Sequence, residues 1–433
     1  MSGPTIGFAG MTHLGINSAA ASAARGFRTV CFDPNAGLIA RLNAAELPVV
    51  EPGLPELLRE HSQGLSFAAD AAALAQCDIV YIAPDVPTDD IGQSDLTGIR
   101  ALIDTVAPRL NATALLVVLC QVPPGFTRGL AIPSGRLFYQ VETLVFGRAV
   151  ERAMHPERII LGCAEPARPL PAALDAFLRA FGCPLLPMRY ESAELAKISI
   201  NCCLVASVTV ANTLAELSEK VGADWSEIAP ALKLDRRIGQ HAYLAPGLGI
   251  AGGNLERDLA TVMRLAEESG SHVDLVRAFL VDSSHRRDWP LRTLHQEVLP
   301  GSPNAVIGVL GLAYKENTHS TKNSPSLALI RHLAPWRLRV HDPVLPAQAA
   351  GHPQATGCST ALEVAAGADA LAIMTPWPEY REIQPMKLRE VMRGRAVLDP
   401  YRVLNGRDVQ AAGLDYFTLG ASPLRAGEKD ARA

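Results

Sequence analysis

Aromatic residues are scarce in this chain, 5% of 433 residues, and so is any surplus of charge: 40 Lys and Arg stand against 44 Asp and Glu, a net −4. No long basic run occurs, which speaks against a nucleic-acid surface. No apolar stretch continues uninterrupted for the roughly eighteen residues that a bilayer span requires, so no membrane partner is expected. Met1 to Thr5 leads straight into an apolar strand without a basic region or cleavage site, and a cytoplasmic location is expected. Eight cysteines (Cys31, Cys77, Cys120, Cys163, Cys183, Cys202, Cys203, Cys358) show neither C-x-x-C nor Cys/His ligand spacing. That leaves a metal site without support and points to buried, reduced thiols.

What is present is an ordinary globular composition, 48% hydrophobic and 19% charged, in a chain long enough for two or three domains. The N-terminal portion alternates apolar strands with amphipathic helices, the pattern of a parallel sheet covered on both faces. Strands are expected at Thr5–Ala9, Thr29–Asp33, Asp78–Ala83 and Ala114–Leu119. Strand signals stop near Ser192. A long helix is expected from there to Val221, burying a stripe of Leu195, Ile198, Cys202, Val205 and Val208 at spacings of three and four. Helical patterning continues to about residue 290. Pro300-Gly-Ser-Pro303 reads as a linker, and a second α/β unit follows with strands at Val306–Leu310 and Leu338–His341.

The two halves echo each other: a strand, a glycine turn, a helix, then a strand ending in Asp-Pro, at Asp33-Pro34 and at Asp342-Pro343. The fold expected is α/β, two Rossmann-like doubly wound parallel-sheet domains joined by a central long-helix domain. Its boundaries are residues 1–191, 192–298 and 304–420, with a polar tail from 421 to 433 that frays.

Gly10-Met-Thr-His-Leu-Gly15 lies between the first strand and its helix, where a dinucleotide fingerprint belongs. Gly10 permits the tight turn and Gly15 lets the helix pack on the sheet, and Leu14 is counted with them among the cofactor-binding residues. The middle glycine, which brings backbone up to a pyrophosphate, is replaced by Thr12. A threonine there can place its hydroxyl on a phosphate, or hold the loop slightly open. Asp33, 23 residues after Gly10, is placed to accept hydrogen bonds from an adenosine ribose, which favours NAD over NADP. A strand-ending Asp-Pro turn fits the same residues.

Other segments line up in order. Pro246-Gly-Leu-Gly-Ile-Ala-Gly-Gly-Asn-Leu-Glu-Arg-Asp258 is a glycine-rich loop running into a helix. Glu194-Leu-Ala-Lys-Ile-Ser-Ile-Asn201 places Lys197 and Asn201 four apart, on one helix face. With Glu51-Pro-Gly-Leu-Pro-Glu-Leu57, the run from Asp78 through Val86 to Leu96, and Val122-Pro-Pro-Gly-Phe-Thr127, these motifs closely resemble the UDP-glucose/GDP-mannose 6-dehydrogenase family. So do Tyr139-Gln-Val-Glu-Thr-Leu-Val-Phe-Gly147 and Met154-His-Pro-Glu-Arg-Ile-Ile-Leu-Gly162. Asp235-Arg-Arg-Ile-Gly239 with Tyr243, Gly311-Leu-Ala-Tyr-Lys315, and Thr375-Pro-Trp-Pro-Glu-Tyr380 complete the match over residues 5–418.

The resemblance implies NAD as cofactor, with Val86 and Gln121 beside it, and a nucleoside-diphosphate sugar as substrate. It implies that Lys197 and Asn201 stabilise charge on the sugar oxygen, that Asp258 serves as base or positions water, and that Glu142 is associated with thioester hydrolysis. Arg237, Tyr243, Gly249, Gly252, Lys315 and Lys322 fall in the substrate-binding motifs. A homodimer through the central helical domain is implied too. The chain also departs from the family. Its loop reads P-G-x-G-[FY]-G-G-x-C-x-x-K-D, and Asn254 falls on the cysteine that holds the substrate covalently between two oxidations. Cys120-Gln121 replaces a Ser-Thr pair, Lys322 an arginine and His319 an aspartate. A carboxamide is no thiol nucleophile.

Expectations therefore centre on a single reversible alcohol oxidation. Left open are an epimerase that oxidises transiently with tightly held NAD, oxidation of a hydrated aldehyde through Glu142 and Asp258, Cys120 as a relocated thiol, and a non-catalytic NAD or nucleotide-sugar binder.

Overall fold

In the computed structural model, which describes residues 3–87, 89 and 92–428, the chain forms two compact units, residues 1–200 and 201–433. The N-terminal unit is built on eight strands: β1 (Ile6–Ala9), β2 (Thr29–Phe32), β3 (Leu65–Ala68), β4 (Ile79–Ile82), β5 (Leu115–Val118), β6 (Leu137–Gln140), β7 (Ile159–Cys163) and β8 (Leu185–Arg189). They run in the order β3-β2-β1-β4-β5-β6-β7-β8. All neighbouring pairs are parallel except β6 and β7. Every residue of β1, β2, β4 and β5 is buried, because helices cover both faces, so these strands read as continuous apolar runs without alternation.

Strand order reverses between β1 and β4, where Gly7 is in register with Val80. In open α/β sheets a ligand crevice forms at such a reversal, outside the carboxyl ends of the strands. The chain leaves β1 through Gly10, at φ +96°, and enters the first helix, His13–Ala24. A Cβ on Gly15 would lie 1.9 Å from the carbonyl oxygen of Gly10, so only glycine lets the helix start this close to the turn.

The C-terminal unit carries β9 (Val306–Leu310), β10 (Arg337–His341), β11 (Ala355–Gly357), β12 (Ala370–Ile373), β13 (Ala396–Leu398) and β14 (Asp415–Phe417). Its order, β11-β10-β9-β12-β13-β14, repeats that of the first six strands of the other sheet, and every pair is parallel. The expected pair of doubly wound sheets is therefore present, with strand ends displaced by a residue or so.

The central helix is continuous over 32 residues, Tyr190–Val221, and starts directly after β8. By length and composition it is long and apolar enough to cross a membrane, and 28% of its most apolar window is buried; it also carries charged side chains used below. The expected buried stripe needs one correction. Ile198 and Val205 are buried, but Leu195 is about half exposed, and burial continues instead through Ala211 and Ala215. The polar tail is corrected as well. Far from fraying at Ala421, the chain bridges Asp224 to Ala421 and pairs Leu424 with Tyr416 in both directions. The Arg425 guanidinium forks onto Glu297 at 2.7 and 2.8 Å and covers the Phe417 ring. Residues 429–433 lie outside the described residues.

Candidate active site

Each unit holds its own cluster of functional side chains. In the N-terminal unit Lys197 Nζ lies 2.9 Å from Glu142 Oε2, and both side chains are largely withdrawn from water. The second carboxylate oxygen of Glu142 accepts the backbone N–H of Leu144 at 2.5 Å, which fixes its direction. One turn before Lys197, Glu194 is fully buried and accepts N–H groups from Gly125 (2.6 Å) and Thr127 (2.9 Å). It thereby clamps the loop after Gln121 onto the central helix, and its burial raises its pKa. No signal within the Glu-Leu-x-Lys motif distinguished this clamp from a solvated helix face.

At the cofactor end, Asp33 accepts from Met11 N–H (2.8 Å) and Asn35 N–H (2.9 Å). Its counterpart Asp342 accepts from Leu312, Ala313, Val344 and Leu345 and from the Trp377 indole. A carboxylate has about four lone-pair sites. Asp342 is filled by its own turn, the loop after β9 and the Trp377 indole, whereas Asp33 is shown with two N–H donors. An open cleft of about 610 Å³ is lined by Phe32 and Pro34, which flank Asp33 in sequence, and by Asp70, Asp104, Thr105 and Arg109. Thr12, Leu14 and Gly15 lie at the start of the first helix as expected, and Val86 follows β4. Gln121, just beyond β5, is buried. Thr88, Asp90 and Ile91, part of the motif around Val86, lie outside the described residues. Glu51, buried, accepts from Gly147 N–H (3.0 Å) and Ala149 N–H (2.8 Å) and lies 2.9 Å from His13 Nε2. Its Glu-Pro-Gly-Leu motif thus ties the first helix to the loop that carries Glu142, a role invisible in spacing alone.

In the C-terminal unit Asn201 donates its side-chain amide to Asp258 Oδ2. Asp258 is almost fully buried and its other oxygen lies 3.4 Å from the Arg257 guanidinium. Asn254, exposed, is the first residue of the helix Asn254–Ser269, and Asp258 is one turn further on the same face. The glycine loop before it is held tightly. A Cβ on Gly249, at φ +74°, would meet the Ser283 carbonyl oxygen at 2.3 Å, and Gly252, at φ +82°, lies against Tyr314. Gly252 N–H donates to Lys322 O (3.1 Å) and Asn323 Nδ2 to Gly252 O (2.9 Å). Glu256, which sequence reasoning did not single out, takes part in the same clamp through Asn323. Lys315 Nζ stands 5.7 Å from the Tyr314 ring centre. Arg237 and Tyr243 are not gathered into this cluster: Arg237 is exposed and paired with Asp235 at 2.6 Å, and Tyr243 is exposed.

Two thiols in these segments, Cys120 and Cys202, are poor nucleophiles. Cys120 is fully buried and its pKa is pushed up to about 12 by that burial. Burial also raises Cys202 to about 11, with Asp258 adding to the shift. Neither forms thiolate near neutral pH.

Sequence profiles of one family cover most of the chain. Residues 4–177 match the UDP-glucose/GDP-mannose dehydrogenase family NAD binding domain, 191–281 its central domain and 308–406 its UDP binding domain. Among curated relatives, the UDP-glucose 6-dehydrogenase of Pseudomonas aeruginosa is 30% identical over 98% of this chain and 98% of its own length. UDP-glucose 6-dehydrogenase TuaD of Bacillus subtilis is 28% identical over 98% and 94%. Among solved structures, a UDP-glucose dehydrogenase from Pyrobaculum islandicum superposes with a TM-score of 0.84 at 27% identity, over 97% of this chain and 98% of that one. A UDP-D-ManNAc dehydrogenase from Pyrococcus horikoshii shares the fold, with a TM-score of 0.82 at 22% identity over 96% and 99%.

Proposed function

Because this chain belongs to the UDP-glucose/GDP-mannose dehydrogenase family, NAD-dependent oxidoreductases of nucleotide sugars, we propose that it oxidises one hydroxyl of a nucleoside-diphosphate sugar in a single hydride transfer. The alcohol carbon gives its hydride to NAD, the hydroxyl gives up its proton, and a carbonyl and NADH result. In this reading residues 1–191 hold the dinucleotide through Gly10, Leu14, Gly15, Asp33, Val86 and Gln121, with Thr12 at the turn that faces its diphosphate and adenosine in the cleft beside Asp33. Residues 304–420, with Lys315 and Lys322, hold the diphosphate end of the sugar nucleotide. Asp258, oriented by Asn201 and Arg257, takes or relays the proton. The Lys197 ammonium, directed by Glu142, stabilises the developing alkoxide in a site poor in water.

The observation that carries the single step is the residue at the start of the Asn254–Ser269 helix. Asn254 falls on the motif position of the family cysteine, and burial raises the pKa of both Cys120 and Cys202, which favours their neutral thiols. Without a thiohemiacetal the aldehyde has no covalent route to a second hydride transfer. The test is a count of NADH per product with a panel of UDP-, GDP- and other sugar nucleotides. One NADH with a carbonyl product is expected. Two with a uronate would sink the proposal, as would an isomer formed without NADH.

We further read residues 192–298 as the subunit contact of a homodimer. Val210, Leu214, Leu217 and Val221 repeat at spacings of four, three and four along the central helix and are all exposed, a stripe suited to an identical partner helix. All eight cysteines are free thiols, which supports a cytoplasmic location.

A further inference from the structure

The start of the first helix is occupied by the chain's own anion. Thr12 precedes that helix at its N-cap position, yet its side chain makes no capping bond to it. Instead Thr12 Oγ1 accepts the backbone N–H of Asp85 at 2.7 Å, and the Asp85 carboxylate accepts the backbone N–H of His13 at 3.0 Å. The two residues cap each other's segments. Asp85 lies in the loop after β4 and Thr12 in the loop after β1, the two strands between which sheet order reverses. This is where a dinucleotide's pyrophosphate meets a helix N-terminus, drawn by unpaired N–H groups and the positive end of the helix dipole. The helix has no acidic residue of its own in its first turn, so the anion there comes from β4's loop.

A second feature narrows the same place. The glycine that lets backbone approach a pyrophosphate is Thr12, whose side chain is turned toward Asp85. Met11 N–H, the neighbouring donor in the loop, is already committed to Asp33. A cofactor diphosphate entering here meets a carboxylate already on the His13 N–H; Asp85 is exposed, so water screens the like-charge repulsion and the competition is chiefly for that donor.

We propose that Asp85, held by Thr12, is an internal competitor for the cofactor's pyrophosphate, so that dinucleotide binding requires the carboxylate to swing off the helix N-terminus. Asp85 and Thr12 then set NAD affinity, while Asp33 and the cleft beside it set recognition of adenosine. This rests on the NAD reading of the N-terminal unit. It concerns affinity for the diphosphate and leaves the chemistry of hydride transfer untouched.

The test is calorimetric titration of the full chain with adenosine, ADP, NAD and UDP at fixed ionic strength, for the wild type and for Asp85→Ala, Asp85→Asn and Thr12→Gly. Removing the carboxylate is expected to tighten ADP and NAD by roughly tenfold or more, and the neutral isostere and the glycine by less. Adenosine, which lacks the diphosphate, should bind all four proteins alike. UDP, recognised by the C-terminal unit, should also be unchanged and reports that each variant is folded. Unchanged or weaker ADP binding by Asp85→Ala, with adenosine still bound, overturns the proposal alone. If no protein binds adenosine, ADP or NAD while all bind UDP, the NAD reading falls and this proposal with it.

Discussion

Lys197 and Glu142 form an ion pair at 2.9 Å across 55 positions of sequence (197 − 142), with side chains only 11% and 16% exposed. The pair joins the central helix to the segment after β6, so the ammonium is aimed by a partner that is itself fixed through Leu144 N–H. Lys197→Met should lower the single-turnover rate of hydride transfer by about 10²–10³-fold, the range found when one preorganised charge-stabilising donor is removed. Glu142→Gln keeps the cation and should cost less. UDP binding should be unaffected in both. A Lys197→Met protein with an unaltered hydride-transfer rate would contradict the assigned role.

Asp258 combines chemistry with structure. Its carboxylate receives Asn201, which is half-buried, and faces Arg257; Asp258 and Arg257 are themselves buried. Asp258→Ala removes the buried acceptor of the Asn201 amide and should cost about 1–3 kcal/mol in denaturant unfolding. Asp258→Asn preserves volume and should be milder in stability, yet lose about 10²–10⁴ in kcat if the carboxylate handles the proton. Near-wild-type turnover by the Asn variant would assign Asp258 to structure alone.

Glu194 gives a pH prediction with a definite sign. Burial raises its folded pKa above the ordinary carboxylate value near 4.3, so the folded state holds the proton more tightly than the unfolded state. Its contribution to stability is then full below the unfolded pKa and declines as pH rises through the raised folded value. Glu194→Gln removes this titration, but its amide group cannot accept from both Gly125 and Thr127 N–H. The melting-temperature advantage of wild type over Glu194→Gln should therefore shrink between about pH 4 and the upper end of that titration. An advantage that grows with pH would show a depressed pKa instead.

Much of this was legible before any coordinates. The β1, β2, β4 and β5 runs are apolar throughout because both faces of a parallel sheet are covered, and Gly10 and Gly15 sit where a Cβ would collide. Helical spacing put Lys197 and Asn201 on one face, but only their family motif singled them out. Long-range partners were not legible, since no local pattern joins Glu194 to Gly125, Glu51 to Ala149 or Asp85 to His13. The tail misled for the same reason. Residues 421–428 are polar in composition, but Arg425 finds Glu297 and the Phe417 ring far away in sequence. Leu195 shows the limit of periodicity: spacing marks a stripe without saying where the neighbour that covers it ends.

The exposed stripe on the central helix makes a separable prediction. Leu214 and Leu217 are 40% and 54% exposed, adjacent on one face, and belong to none of the hydrophobic cores among the described residues. Leu217→Glu, alone or with Leu214→Glu, should leave the melting of each unit nearly intact and shift sedimentation from dimer to monomer. A buried apolar contact of this kind loses both its burial and its complementarity when a charge is inserted. Sedimentation as a monomer by the wild type at micromolar concentration would remove the stripe's assigned partner.

Asn254→Cys tests the chemistry most directly. Position 254 opens a helix of 16 residues, and a thiol there faces the positive end of the helix dipole, which lowers a cysteine pKa below its usual 8.5. Position 254 is exposed, so the new thiol is accessible, unlike Cys120. With Glu142 and Asp258 in place, the variant should capture the aldehyde and transfer a second hydride from the hemithioacetal, raising NADH per product from one toward two and yielding an acid. Iodoacetamide should abolish the second equivalent and leave the first. If the thiol alkylates readily yet the stoichiometry stays at one, the second oxidation is blocked elsewhere. Gln121, buried just beyond β5 where the family carries a hydroxyl, is then the residue to exchange next.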